Sequence, residues 1–131
     1  GVVCRDDHPF ADLTEIHWKE LRKQRLIRNG TSRLLEDTEA EPLLSDSQFL
    51  ISNMLSLIAM LEEGLGITTL PWFAFPKNNN KICFIPLTTP KIVRHIGIVQ
   101  LKNKSLSPAA EALAYFILKN TVQDKIQGVE T

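Results

Sequence analysis

The chain has 131 residues, 44% of them hydrophobic and 23% charged, a balance typical of a folded globular domain rather than a disordered segment. Its 15 Lys and Arg residues equal its 15 Asp and Glu residues, so it lacks the basic excess with which a domain binds nucleic-acid phosphates by itself. No apolar run approaches the roughly 18–20 residues of a membrane-spanning helix, and no signal peptide opens the sequence. We therefore expect a cytoplasmic protein without a membrane partner, in which both cysteines are reduced thiols.

Strand and helix signals alternate through the first fifty residues. Val2–Arg5 is an apolar run typical of a strand, and it ends near Pro9, which has no N–H group to donate to a neighbouring strand. Trp18 and Leu21 have the spacing of one helical face. The elements predicted here are a strand at 2–5, a short amphipathic helix at 16–24, a strand at 25–28, a helix from about 31 to 39 that Pro42 terminates, and a strand within 43–51.

The second half of the chain begins with a strong helix signal over 54–63. Its apolar residues follow the i, i+3, i+4, i+7 spacing of one helical face and are Met54, Leu57, Ile58 and Leu61. Ser52 or Asn53 is expected to cap this helix, and Gly64 is expected to end it in the left-handed conformation.

Four further elements follow this helix. They are a strand at 67–70, strands at 82–87 and 93–101, and a helix that starts at Ser107–Pro108, ends at Gly128 and buries an apolar face of Ala110, Leu113, Ala114, Ile117 and Leu118. A polar loop at 77–80 precedes the second of these strands. Because strands alternate with helices, we predict an α/β fold built from β–α–β units.

Four short motifs occur in order along the chain. They are His8-Pro9-Phe10-Ala11, Gly64-Leu65-Gly66-Ile67-Thr68-Thr69-Leu70-Pro71, Ile85-Pro86-Leu87 and Leu106-Ser107-Pro108-Ala109-Ala110. With these motifs, over nearly its whole length, the chain resembles the C-terminal part of the effector-binding domain of LysR-type transcriptional regulators.

The resemblance implies a two-lobed fold like that of the type 2 periplasmic binding proteins, in which two crossing strands join the lobes and a small effector binds between them. It places residues 1–5 and 82–87 on the two crossing strands. Residues from about 6 to 80 form the second lobe, and residues from about 92 to 131 return to the first lobe. The chain also begins with Gly rather than Met and opens directly on the predicted strand at 2–5, so we expect it to be a partial effector-binding domain, without the family's DNA-binding domain.

The same resemblance implies that part of the first lobe is missing. The strand near Val93 and the helix that starts at Ser107 then lack their usual sheet partners, and we expect an exposed apolar patch on them. Another chain is expected to cover that patch, which is in keeping with a homodimer or a homotetramer. DNA is contacted only through the absent N-terminal domain.

The effector cleft of such a fold is lined by loops and helix N-termini. Backbone N–H groups at a helix start favour anions, so a carboxylate effector with Arg28 or Arg33 as its counter-charge is expected. The alternative for the hydroxyl and amide residues is that they only cap helices, and the alternative for Thr68 is core packing. The candidate effector-binding residues are Arg28, Asn29, Thr31, Ser32, Ile51, Ser52, Asn53 and Thr68.

Other kinds of site find less support in the sequence. Gly64 and Gly66 follow a predicted helix and precede a strand, whereas a dinucleotide-binding turn needs the reverse order. The three histidines do not have metal-ligand spacing, and no nucleophile with a base and an orienting acid is visible, so we predict neither a catalytic site nor a cofactor. Cys4 and Cys83 would be neighbours if the two crossing strands pair antiparallel, and they are then either a redox pair or two small buried residues.

Three classes of function follow from these observations. The leading hypothesis is a domain of a cytoplasmic transcription regulator that senses an effector and oligomerises. The second is a solute-binding protein of the same fold that serves a transporter. An enzyme on a related two-lobed fold is the third, and it lacks a recognisable catalytic constellation.

Overall fold

A computed structural model describes residues 1–35, 38, 40–45, 47–93 and 97–128 of the chain. It forms two compact units, residues 1–94 and residues 95–131, and each is described here by itself. No described helix is both long enough and apolar enough to cross a membrane.

The first unit alternates short strands with short helices, as the pattern of the sequence predicts. Its strands are β1 (Val2–Arg5), β2 (Ile16–His17), β3 (Ile27–Asn29), β4 (Phe49–Ile51), β5 (Thr68–Thr69), β6 (Ile82–Ile85) and β7 (Leu87–Thr88). Its α-helices are α1 (Glu41–Ser45) and α2 (Met54–Glu62), and 3₁₀ turns cover Trp18–Lys23, Ser32–Leu35 and Trp72–Ala74.

Strand β1 is the middle strand of an antiparallel sheet with the order β5-β1-β6. Successive side chains of a strand point to opposite faces, and here both faces are covered. Val2 and Cys4 join one hydrophobic cluster, whereas Val3 joins a second cluster with Leu57 and Leu61 of α2. This two-sided burial explains why the strand is an unbroken apolar run, and each fully buried valine contributes about 1.5–3 kcal/mol to stability.

Strands β3 and β4 form a parallel pair, in which Ile27 is opposite Phe49 and Asn29 is opposite Ile51. On the other side of β3, a parallel bridge joins Leu26 to Ile67, just before β5. The carboxyl ends of these three segments therefore lie at one edge, which we call the carboxyl edge. In α/β folds, ligands bind at the carboxyl ends of parallel strands.

Helix α2 follows the sequence prediction closely. Asn53 caps it, since its Oδ1 accepts a hydrogen bond from the Ser56 N–H (3.0 Å). Leu57 and Leu61 are buried, but Met54 at the helix start is 41% exposed. Gly64 follows the helix with a φ of 66°, the left-handed conformation that glycine adopts without strain.

Several predicted elements of the first unit have other bounds or types, and the strand expected at 25–28 is β3 (Ile27–Asn29). The helix predicted at 16–24 is strand β2 followed by a 3₁₀ turn, because Ile16 and His17 pair with β7 instead of entering a helix. Pro42 lies in the first turn of α1 rather than ending a helix, a position where its missing N–H costs nothing. The strand expected within 43–51 is confined to Phe49–Ile51.

The bounds of the strand at 82–87 and of the helix expected before Pro42 change as well. The strand expected over 82–87 is divided at Pro86 into β6, which pairs with β1, and β7, which pairs with β2. The helix expected from about 31 to 39 is a 3₁₀ turn over Ser32–Leu35, and its predicted end includes residues 36, 37 and 39, which lie outside the described residues.

The second unit contains helix α3 (Pro108–Gly128), whose first turn is capped by the Ser107 Oγ, the acceptor for the Ala110 N–H (3.3 Å). The strand predicted over 93–101 is wrong for Val93 and residues 97–101, while 94–96 lie outside the described residues. Among the described residues, no strand pairs with this stretch, and isolated strands are unstable in water.

The apolar face predicted for α3 is not buried. Leu113 is 59% exposed and Leu118 is 57% exposed, and Val99 before the helix is 96% exposed. The expected exposed apolar patch on these two segments is therefore present.

Candidate functional site

Predicted effector residues of two separate segments, 28–29 and 51–53, lie at the carboxyl edge. Arg28 and Asn29 end β3, while Ile51 ends β4 directly opposite Asn29. Ser52 and Asn53 continue from β4 into the start of α2.

Asn29 is the centre of a buried hydrogen-bond network at this edge. Its side chain is 3% exposed, and its Nδ2 donates to the Thr68 Oγ1 (2.8 Å) and to the Thr69 carbonyl (2.9 Å). Its Oδ1 accepts from both the N–H and the Oγ1 of Thr31 (2.7 Å each). All four hydrogen-bonding positions of the amide are thus occupied within the protein.

Ser32 and Thr68 complete this network. The Ser32 Oγ accepts a hydrogen bond from the Asn29 N–H (3.0 Å), and the Thr68 Oγ1 donates to the Ile27 carbonyl (2.7 Å). Both side chains are buried. The network joins the end of β3 to β5 and fixes the course of the loop that leaves β3.

Arg28 differs from its neighbours because it has an unused donor. It is half-buried, and its Nε has no hydrogen-bond partner although that atom is shielded from solvent. Arg28 lies between the buried Ile27 and Asn29, so its side chain points to the opposite face of β3. Neither ion pair found within the described residues involves Arg28. A guanidinium that no carboxylate neutralises is suited to bind an anion.

The remaining predicted residues lie at the start of α2. Ser52 and Asn53 are exposed, and Ile51 is half-buried. The Asn53 side chain is occupied as the helix cap, so the capping alternative is correct for this residue. The other N–H groups of the first helical turn have no acceptor within the helix, and they favour a negative charge.

The carboxyl edge therefore has two kinds of residue. Asn29, Ser32 and Thr68 use their polar groups on one another and hold the loop in place. Arg28 is half-buried on the other face of β3, and Ser52 at the start of α2 is exposed, so these two residues keep partly accessible polar groups. Sequence reasoning missed Thr69, whose contribution is a backbone carbonyl that no residue type signals.

A separate cavity of about 520 Å³ opens at the opposite edge, near the amino ends of β3 and β4. Its wall includes Leu26 and Gln48, the residues that precede these two strands, as well as Arg22 and Arg25. It contains none of the predicted effector residues. The structure thus distinguishes an arginine-lined cavity at the amino edge from the predicted site at the carboxyl edge.

The described residues include no group of three or more His, Cys, Asp or Glu side chains that could hold a metal ion. At the carboxyl edge the groups described above are amides, hydroxyls, backbone N–H groups and a guanidinium. Such groups bind and orient a polar ligand through hydrogen bonds and charge.

Comparison with known proteins identifies the family. Residues 1–121 match the model of the LysR substrate binding domain. The HTH-type transcriptional regulator YbhD of Escherichia coli strain K12, described as uncharacterized, is 33% identical over 130 residues. That alignment covers 95% of this chain and 41% of YbhD. The transcriptional dual regulator GltC of Bacillus subtilis strain 168 is 23% identical over 122 residues, covering 86% of this chain and 40% of GltC.

Solved structures show the same fold. The effector-binding domain of QuiR in complex with shikimate has a TM-score of 0.67 and 23% identity, covering 91% of this chain and 59% of that chain. The reduced form of OxyR has a TM-score of 0.63 and 22% identity, covering 97% of this chain and 60% of that chain. The α/β, periplasmic-binding-protein-like fold predicted from the sequence is confirmed.

These relatives also separate the hypotheses drawn from the sequence. YbhD and GltC are named as transcriptional regulators, so a solute-binding protein of a transporter is not favoured. The chain spans about two fifths of the length of each of them, 41% and 40%. The family match covers nearly all of this chain, and the chain belongs to the LysR substrate-binding domain family.

Proposed function

We propose that this chain is the effector-sensing part of a cytoplasmic LysR-type transcriptional regulator. The match of residues 1–121 to the LysR substrate binding domain carries this proposal. In the whole protein, DNA is bound by a separate N-terminal domain, and the chain works as a homodimer or a homotetramer. The zero net charge of this segment agrees with a division of labour in which it does not bind DNA itself.

Residues from about 6 to 80 are proposed to form the second lobe of the effector domain. Residues 1–5 and 82–87 cross between the lobes, and residues from about 92 onward belong to the first lobe. The antiparallel pairing of β1 with β6 over four residue pairs supports the crossing, because it brings the two ends of the proposed lobe together.

The effector is proposed to be a small anion that binds at the carboxyl edge. Arg28 supplies the positive charge, and Ser52 supplies a hydroxyl group beside the N–H groups of the first turn of α2. Thr31, whose hydroxyl donates to Asn29, holds the loop at the edge of the site. Asn29, Ser32 and Thr68 act as positioning residues, and Ile51 and Asn53 form the adjoining wall. The half-buried Arg28, which neither ion pair of the described residues includes, and the completed network around Asn29 support this division. The QuiR effector domain, which has the same fold, was solved with shikimate, so small molecules bind to domains of this kind.

The proposed mechanism is a change in the relative orientation of the two lobes on effector binding. An effector shifts that orientation only by the difference between its affinities for the two arrangements. The spacing of the DNA-binding domains within the oligomer changes with it, and so does the affinity for operator DNA.

A ligand screen on the full-length protein tests this proposal. Small carboxylates, amino acids and neutral aromatic compounds are added one by one, and the melting temperature is measured. A carboxylate present at about 100 times its Kd stabilises the protein by about 2.7 kcal/mol, which gives a clear rise in melting temperature. Arg28→Ala is the test variant, and Arg22→Ala at the amino edge is its matched control. Stabilisation only by neutral compounds would contradict an anion site at the carboxyl edge. An equal loss of the carboxylate's stabilising effect in Arg28→Ala and Arg22→Ala would contradict it as well.

A further inference from the structure

The sequence contains two cysteines, and the fold places them side by side. Cys4 of β1 is directly opposite Cys83 of β6 in the antiparallel register. Their Sγ atoms are 3.6 Å apart, and both are free thiols. The two residues are 79 positions apart in the sequence, so the fold alone creates this contact.

The backbone geometry of this pair permits a covalent bond. Directly opposed residues of antiparallel strands have Cα atoms about 4.5–5.5 Å apart, within the usual disulfide range of about 4.4–6.8 Å. A disulfide has an S–S distance of about 2.05 Å, so the two sulfur atoms must approach by about 1.5 Å. Rotation of the two side chains suffices for such a movement, and the register of β1 and β6 stays the same.

The two thiols differ in exposure, which sets the order of their reactions. Cys4 is fully buried, whereas Cys83 is half-buried. Burial, followed by the proximity of Cys83, raises the pKa of the Cys4 thiol well above its ordinary value. Because the thiolate is the attacking species, Cys83 is the thiol that reacts with an external oxidant.

We propose that Cys4 and Cys83 form a reversible disulfide when the protein meets a hydroperoxide. The Cys83 thiolate attacks one oxygen of the peroxide bond, which breaks and releases hydroxide or alkoxide, and Cys83 becomes a sulfenic acid. The Cys4 sulfur then attacks the sulfur of Cys83. The S–S bond forms, the S–O bond breaks, and the thiol proton of Cys4 leaves with the hydroxyl group as water. The two thiols are oxidised by two electrons in total, and the peroxide is reduced.

The disulfide would be a covalent crosslink between β1 and β6. It closes a loop that contains β2, β3, β4, β5 and both helices of the first unit. Crosslinks that close long loops restrict the unfolded chain, so the oxidised protein is more stable than the reduced protein. The two strands can then no longer separate or slide against each other.

Mass spectrometry of the full-length chain after treatment with hydrogen peroxide tests the proposal. The expected product is a protein lighter by two hydrogen atoms per Cys4–Cys83 pair, with a peptide that links these two residues and separates again with a thiol reductant. The melting temperature of this part of the protein is expected to rise by roughly 5–15 °C. Thiols that stay free, or that oxidise irreversibly to sulfinic acid, would overturn the proposal. A disulfide between two chains would overturn it as well.

Two pairs of variants test the order of the steps. Cys4→Ser and Cys4→Ala are expected to accumulate a sulfenic acid at Cys83, detected as a dimedone adduct. Cys83→Ser and Cys83→Ala are expected to react at least roughly tenfold more slowly, because the remaining thiol is buried. The alanine variants preserve the apolar character of the sites, so they fold even where serine disturbs the sheet. Equal reaction rates for the Cys4 and Cys83 variants would contradict the assignment of Cys83 as the attacking thiol.

Discussion

Asn29 connects the proposed site to the core of the first unit. Its amide group holds Thr31 on one side and the β5 strand on the other, and the network is buried. The sequence marks Asn29 as a candidate ligand residue. In the structure, Asn29 instead bonds to other residues of the protein, and one of them, Thr68, is 39 residues away in the sequence. No local pattern signals a contact of that kind.

Replacement of this amide tests its structural role. Asn29→Ala leaves the Thr31 N–H and the Thr69 carbonyl without their partners, so we expect a loss of about 2–4 kcal/mol in the free energy of unfolding. Urea denaturation measures it, and the exposed Asn78→Ala is the control that should change stability little. Equal effects of the two variants would show that the network contributes nothing specific.

Glu62 gives the first unit a dependence on pH. Its carboxylate accepts hydrogen bonds from the Asn79 Nδ2 (2.6 Å) and from the Lys81 Nζ (3.4 Å), and these bonds, Asn79 first, hold its pKa below the ordinary 4.5. A lowered pKa in the folded state stabilises the protein above pH 4.5 and loses this effect as the pH falls further. Urea denaturation between about pH 6 and pH 3 is expected to show a steeper loss in the wild type than in Glu62→Gln. An equal loss of stability with falling pH in the wild type and in Glu62→Gln would show that Glu62 does not contribute to the pH dependence.

At the scale of elements, the sequence predicts what local chemistry decides. The Asn53 cap, the helix start at Ser107–Pro108 and the end of α2 at Gly64 are all correct, because each depends on residues within one helical turn. Residues 16–24 were predicted as a helix and are a strand and a 3₁₀ turn, since pairing with β7 overrides their helical spacing. Residues 97–101 are apolar enough for a strand, but among the described residues they have no strand to pair with.

Gly64 offers a test at this scale. Its φ of 66° is strained for other residues, and a Cβ there would lie 2.8 Å from the Arg5 Nη1. Gly64→Ala is therefore expected to lower the free energy of unfolding by about 1–2 kcal/mol. Gly30→Ala is the matched control, because a Cβ at Gly30 meets no atom within 4 Å. In urea denaturation, Gly64→Ala should be less stable than Gly30→Ala. Equal stability of the two variants would contradict the role of the left-handed conformation at Gly64.

At the scale of the whole molecule, the exposed apolar side chains of α3 are the main departure from an ordinary monomer. Leu113, Tyr115, Phe116 and Leu118 are each more than half exposed. Surfaces of this kind mark interfaces with other chains or other parts of a protein.

The 131-residue chain by itself is therefore expected to associate. Light scattering at micromolar concentration should give a mass above 14.8 kDa, and Leu113→Glu with Leu118→Glu should shift it towards the monomer. Lys119→Glu on the same helix, which changes charge without removing apolar surface, serves as the control. A monodisperse monomer for the unmodified chain would contradict this expectation.

The family and its fold could be predicted from the order of four motifs along the chain, and residues 1–121 match that family. The division of the site into positioning residues and residues that bind the effector could not be predicted. Distances between segments decide which polar groups bond to one another inside the protein and which have no partner. Asn29 is an example of the first kind and Arg28 of the second.

The central claim is that the carboxyl edge binds a small anion through Arg28. Isothermal titration of the full-length protein with the best carboxylate from the screen tests it most directly, in the wild type, in Arg28→Ala and in Arg22→Ala. We predict a loss of affinity of roughly ten- to a hundredfold for Arg28→Ala, because a charged hydrogen bond is removed, and no change for Arg22→Ala. Unchanged affinity in Arg28→Ala, or a loss confined to Arg22→Ala, would contradict the claim and place the site at the amino edge or elsewhere.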